Sequence, residues 1–180
     1  MKKILFILTF VLSVSLSFAQ VETDSTKMTS KEKKEARKKE QFALTNYMLE
    51  NKNFVLESDF LQDRYGNRIP VSSSINFVMI NANEAVIQIG SNSGIGPNGV
   101  GGITAKGRIT KWELKKNKKN KSSVLRVNVI TSIGMYDLFF NIGPYGNATA
   151  RLTGLRSGSL TFDGDLVPGE LSGVYEGYSL

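Results

Sequence analysis

The sequence predicts a mainly β protein, an antiparallel barrel or closed sandwich of about eight strands behind one N-terminal helix. Three observations predict it. Beyond Asn53 the apolar residues recur at every second position, the periodicity of a half-buried strand. Turn-forming residues interrupt that alternation at a spacing of about 8–12 residues, as in all-β folds whose strands pair with their sequence neighbours. Glycine is abundant, 17 of 180 residues, and falls mostly in those interruptions, where tight connections need its conformational range.

The elements come in order. Lys2 and Lys3 precede an unbroken apolar run from Ile4 to Leu12, and Ser17-Phe18-Ala19 closes it with small residues. That is the order of a secretory signal peptide over residues 1–19, cleaved between Ala19 and Gln20. An uncleaved anchor needs roughly 20 apolar residues, whereas Thr9, Ser13, Ser15 and Ser17 dilute this run. The expectation is an exported protein, periplasmic or extracellular, and soluble once the leader is removed unless it closes into a membrane barrel. The chain beyond the leader is long enough for one domain with a single core.

Residues 20–28 are polar and read as a flexible tail. Thr29-Ser30-Lys31-Glu32 fits a capping box, in which Thr29 caps the first amides and Glu32 reaches back to the Thr29 amide. A helix is expected over residues 29–52, with Ala36, Ala43, Leu44, Tyr47 and Met48 on its docking face and a Glu35–Lys39 pair on its surface. Its second half should make the contact, because the first half offers little but charge. Asn51-Lys52-Asn53 ends it.

Strands then occupy residues 53–180. Phe54, Leu56 and Phe60 mark the first, and Arg64-Tyr65-Gly66-Asn67 before Pro70 reads as a turn. Ser74 to Ile80 and Ala85 to Ile89 form a hairpin about Asn81-Ala82-Asn83, whose asparagines tolerate left-handed backbone. Ile103, Ala105 and Ile109, then Trp112 and Leu114, form one long strand whose inward face changes near Lys111, which requires a bulge. Val124 to Ile130, Met135 to Ile142, Ala148 to Leu152 and Ser159 to Phe162 complete the set.

Composition excludes much chemistry. The chain has no cysteine and no histidine, which removes disulfides, ordinary zinc sites and histidine-dependent triads. No cysteine stands behind the leader to carry a lipid. The formal charge is +7, two units of it from Lys2 and Lys3, and the excess lies in two blocks. One spans residues 27–40. The other is Lys115, Lys116, Lys118, Lys119 and Lys121, which reads as a solvated hairpin tip or as a contact with anionic lipid or glycan outside the cell. Nucleic acid is not expected, since only Trp112 stands near the block and base stacking needs interleaved aromatics.

The glycine-rich segment Gly90 to Gly102 contains Gly94-Ile95-Gly96-Pro97-Asn98-Gly99, a literal G-x-G-x-x-G. It is followed by a strand, so it lacks the helix N-terminus that holds a dinucleotide pyrophosphate. It reads instead as a wide connection at one end of the sheet, or as a ligand-contacting loop in which Asn92, Ser93 and Asn98, with Trp112, supply the contacts. Asp163-Gly164-Asp165 offers too few ligands for calcium. No cofactor and no metal site are expected.

Ala85 to Gly107, AVIQIGSNSGIGPNGVGGITAKG, together with SIGMYDLFFNI about Tyr136 and LTFDGDLVP about Asp163, resembles an exported bacterial family of unknown function, DUF 4251-like, from about Gln41 to the C-terminus. The resemblance implies a signal-bearing, often lipid-anchored, mostly β domain with no assigned activity, and it carries over no functional residue. The expected function is therefore that of a non-enzymatic envelope protein binding a small or apolar ligand, or a partner, at the glycine-loop end of its barrel. A small outer-membrane barrel and a carboxylate-dependent hydrolase are the alternatives.

Overall fold

A reciprocal pair of hydrogen bonds starts the helix. In the computed structural model, which describes residues 29–91, 96–154 and 158–180, the Thr29 amide donates to Glu32 Oε2 at 2.7 Å and the Glu32 amide donates to Thr29 Oγ1 at 3.2 Å. This is the capping box that the sequence predicts, and the Thr29 amide holds the Glu32 carboxyl below its usual range. The expected leader, the cleavage site expected between Ala19 and Gln20 and the expected tail over residues 20–28 lie outside the described residues. The chain divides into two units, Met1–Lys33 and Lys34–Leu180.

Helix α1, Ser30–Asn51, buries Thr45, Met48 and Leu49. The docking face is therefore turned from the expected one, since Leu44 and Tyr47 are exposed. The helix covers a barrel end with its last turns instead of lying along a wall, so the positions that point into the end decide burial. Glu35 pairs with Lys38 at 3.4 Å and not with Lys39. Lys52, at φ 51°, supplies the left-handed residue that stops the helix, a place more often filled by glycine.

Nine strands come next: β1 Asn53–Asp63, β2 Arg68–Pro70, β3 Phe77–Asn81, β4 Glu84–Ile89, β5 Ile103–Lys116, β6 Ser123–Thr131, β7 Gly134–Ile142, β8 Asn147–Gly154 and β9 Ser159–Val167. From β3 to β9 each pairs antiparallel with its sequence neighbour, β3 pairs with β1, and β9 returns to β1, closing an eight-stranded barrel with β2 as an extra strand. Closure of β9 on β1 needs Gly164, because a Cβ there would stand 1.9 Å from the Glu57 carbonyl oxygen. The inward face change on the long strand appears as a register shift between Ile109 and Lys111. The 81–83 turn places Ala82, not an asparagine, at positive φ. The strand expected from Ser74 starts at Phe77, because Ile75 and Asn76 donate their amides back to the Ser72 carbonyl and form a turn.

Alternate residues of every barrel strand fill the interior, among them Phe54, Leu56, Ile80, Leu125, Leu138, Phe140, Ala150 and Phe162. Met48 and Leu49 of α1 join the same cluster from one end. The outer faces of β1, β3 and β4 are apolar too: Val55, Phe77 and Val86 form a second cluster, covered by Val174 of the C-terminal segment. Burial on both faces explains the unbroken apolar runs Phe54-Val55-Leu56 and Ala85-Val86-Ile87.

Candidate functional site

Strand β1 changes partners halfway along. Residues Asn53 to Glu57 pair with β3, whereas Phe60 to Gln62 pair with β2, and a register shift between Ser58 and Phe60 marks the change. The three-residue β2 thus takes over the wall where β3 leaves it, yet among the described residues it pairs with no strand but β1. A seam remains between β2 and the end of β4. Pro70, which has no amide to donate, suits this unpaired edge.

The seam holds a depression of about 270 Å³. Leu61, Val71 and Ile89 form its apolar floor and belong to or pack against the barrel core. Ser72, Asn76, Gly90 and Ser91 border it with polar groups, and Ile69 stands exposed on its lip. Asn76 ties the two sides together: its Nδ2 donates to the Ser72 carbonyl at 3.0 Å and its Oδ1 accepts from the Gly90 amide at 3.0 Å. Gly90 lies so close to Ile75 that a Cβ would meet it at 2.9 Å. An apolar floor with a few convergent polar groups is the ordinary construction of a small-ligand site.

The turn ahead of β2 sets the position of that lip. Asp63 Oδ1 accepts from the Tyr65 and Asn67 amides at 2.8 and 2.9 Å, and Oδ2 accepts from Asn67 Nδ2 at 2.8 Å. These bonds, the Asn67 side chain first, hold the Asp63 carboxyl below its usual range. A carboxylate of depressed pKa contributes stability at pH values above its unfolded pKa and loses it as pH falls through the folded one. Acidification through and below the ordinary carboxylate range should therefore lower the protection factor of the Asp63 amide, its exchange rate relative to the intrinsic rate at each pH, since that amide closes the turn on the Asn67 carbonyl at 3.0 Å. Asp63→Ala should make that exchange fast at neutral pH and flatten its acid dependence.

Of the residues that the sequence singles out, Asn92 and Ser93 lie outside the described residues. Asn98 is fully buried. Its Oδ1 accepts from the Val100 and Gly102 amides at 3.1 and 2.9 Å, and its Nδ2 donates to Thr104 Oγ1 at 3.1 Å. The side chain thus folds the glycine loop instead of facing outward. Trp112 packs against the core near the helix end, 6.5 Å from Phe54 between ring centroids, with Lys52 Nζ 5.2 Å from its ring centroid. Strand direction puts it at the opposite end of the barrel from the glycine loop, so the structure does not bring it together with Asn98.

The lysines sit at the helix end. Lys116 Nζ meets Glu50 Oε1 at 2.6 Å, and Lys121 Nζ lies 5.3 Å from the centroid of the Phe42 ring. Phe42, Asn46, Lys116, Lys118 and Lys121 border a second depression of about 250 Å³. Lys115, Lys118 and Lys119 are exposed. Among the described residues there is no group of three or more acidic side chains placed to hold a metal ion, and no helix is long and apolar enough to cross a membrane.

Sequence reasoning misses the seam. Its signals are Pro70 within a run that pairs as a strand and Asn76 at the head of an apolar strand, a buried polar residue that needed partners.

Residues 36–166 match the model of a family described as a domain of unknown function, DUF4251. The chain is similar to the crystal structure of a DUF4251 family protein from Bacteroides eggerthii DSM 20697, at 25% identity and a TM-score of 0.62, covering 73% of this chain and 90% of that one. No curated protein matches it.

Proposed function

We propose, from the premise that this chain belongs to the DUF4251 family of domains of unknown function, that it is an exported, non-enzymatic envelope protein that holds one small apolar ligand in the seam beside β2. The single observation that carries the reading is the seam itself. A depression of about 270 Å³ there reaches Leu61 of the core and Ile89 packed against it, while side chains such as Phe54, Phe140 and Phe162 fill the barrel's middle. The signal-like leader supports export.

A binding role is favoured over hydrolysis by the state of the acids. A carboxylate hydrolase needs one carboxyl held protonated as the acid. Glu113, which shares a groove with Asp137 on the outer wall, is instead held below its usual range by the hydrogen bond from Lys111. A membrane-spanning barrel is disfavoured by the outward positions of the middle strands. Lys111, Arg126, Asp137 and Arg151 share the outer groove, and charges on a lipid-facing wall are costly near the bilayer centre.

Native mass spectrometry of the protein recovered from the producing cell's envelope tests the reading. The expected result is a chain beginning at Gln20 with a bound small molecule. The neutral apolar dye N-phenyl-1-naphthylamine should displace that molecule, and Val71→Asp should weaken dye binding by tenfold or more while leaving the fold intact by circular dichroism. Recovery of the uncleaved chain from the cytosol would overturn export. A ligand-free protein whose dye binding ignores Val71→Asp and Ile89→Asp would overturn the seam as its site.

A further inference from the structure

The outer wall opposite the apolar faces of β1 and β3 carries a groove of about 310 Å³ across β5 to β8. Its residues stand in two rows set by strand register. In one row Arg126 faces Phe139 across the β6–β7 pair, and Phe139 faces Arg151 across the β7–β8 pair. Neighbouring strands lie about 4.8 Å apart, so the two arginine backbones are separated by about 10 Å with one aromatic ring between them. In the other row Asn128 faces Asp137, which faces Thr153.

The groove's two carboxylates already have partners. Lys111 Nζ meets Glu113 Oε1 at 3.0 Å, and Asn128 Nδ2 donates to Asp137 Oδ1. Neither arginine has a carboxylate within ion-pair distance among the described residues. Arg126 lies over Phe139, 5.3 Å from guanidinium carbon to ring centroid, and adds to Glu113 only a Coulomb attraction weaker than that of Lys111. Arg151 Nη2 donates to Ser159 Oγ at 3.3 Å. Neither guanidinium is neutralised by a paired carboxylate, and each keeps N–H donors to offer an acidic group, Arg151 beyond the one given to Ser159, on either side of a half-buried apolar ring.

We infer that this groove binds an organic dianion, a ligand whose two acidic groups are met by Arg126 and Arg151 while its nonpolar middle lies on Phe139. The site is separate from the seam, which lies on the far side of the barrel between β2 and β4. A single charge-assisted fork in this exposed place gives modest affinity, and two acting on one rigid ligand give more, because the second contact forms within the same complex. Binding should weaken as salt rises, since the groove is open to solvent.

Nuclear magnetic resonance titration of the purified protein with benzene-1,4-dicarboxylate, benzoate and pyrophosphate reads the inference. The expected result is saturable movement of the Phe139 ring and of the Arg126 and Arg151 side-chain signals, with the dicarboxylate tighter than both other probes. Arg126→Gln and Arg151→Gln should each weaken it by about tenfold, the effect of losing a charged hydrogen bond, without moving the thermal midpoint. Lys118→Gln should leave it unchanged. Absence of a saturable shift, or equal weakening by Lys118→Gln, would overturn the site. Pyrophosphate binding as tightly as the dicarboxylate would overturn the role given to Phe139.

Discussion

Gln88→Leu is expected to lower the unfolding free energy by about 3–5 kcal/mol and to release the C-terminal segment from the barrel. Gln88 is fully buried, and all of its hydrogen-bonding capacity is used. Its Nε2 donates to the carbonyls of Ile75 at 3.1 Å and Tyr175 at 2.7 Å. Its Oε1 accepts from Thr104 Oγ1 at 2.9 Å and from the Gly177 amide at 2.8 Å. Two donors on one side and two acceptors on the other also fix which way the amide points. Leucine fills nearly the same space but leaves two carbonyls and an amide without the partners Gln88 gave them and takes the acceptor from the Thr104 hydroxyl, each at about 1–3 kcal/mol before relaxation.

The consequence extends past Gln88. Thr104 receives the Asn98 side chain at 3.1 Å, and the Tyr178 and Leu180 amides donate to the Asn98 and Thr104 carbonyls at 2.9 and 3.2 Å. Tail, glycine loop and sheet thus share one buried polar network, whose members should fail together. Urea unfolding measures the first effect, and hydrogen exchange at Gly177, Tyr178 and Leu180 measures the second. A loss below about 1 kcal/mol, or exchange in the tail unchanged, would show that Gln88 does not hold it.

How much of this was legible in the sequence depends on the range of the interaction. Alternation along β5 to β9 shows which residues turn inward, and the change of face near Lys111 locates a bulge, because both are properties of consecutive residues. The capping box of Thr29 and Glu32 was legible for the same reason. The side of α1 that docks was not, since Leu44 and Tyr47 fit a helical stripe as well as Thr45, Met48 and Leu49, and only the shape of the barrel end chooses between them. Asn98 looked like a loop contact because sequence cannot show that its partners, Gly102 and Thr104, curl back around it. The seam was hidden for a further reason: it exists because β1 exchanges β3 for β2, and no local pattern records which strand a residue pairs with. The opposed arginines are visible only once register is known, since Arg126, Phe139 and Arg151 are separate in the chain and aligned solely by pairing.

The second large effect lies at the centre of the barrel. Phe140→Ala is expected to cost about 3–5 kcal/mol, the range for truncating a buried phenylalanine, and to leave a cavity that takes up benzene. Phe140 is fully buried and meets Phe54 edge to face, with ring centroids 5.9 Å apart and planes at 87°. Its neighbours come from β1, β6 and β8, strands whose backbones are locked on both sides by pairing, so the wall cannot collapse inward to fill the gap as a loose helix might. The loss should therefore sit at the upper part of the range, and benzene should recover part of it, because an apolar cavity of this kind stays dry and admits an apolar guest. Tyr47→Ala, on an exposed face of α1, should change stability by no more than about 0.5 kcal/mol. Thermal unfolding of both variants with and without benzene makes the comparison. If Phe140→Ala melts like the parent protein, the interior is not the packed core described; if benzene stabilises the parent as strongly as the variant, the gain does not come from a cavity left by the missing ring.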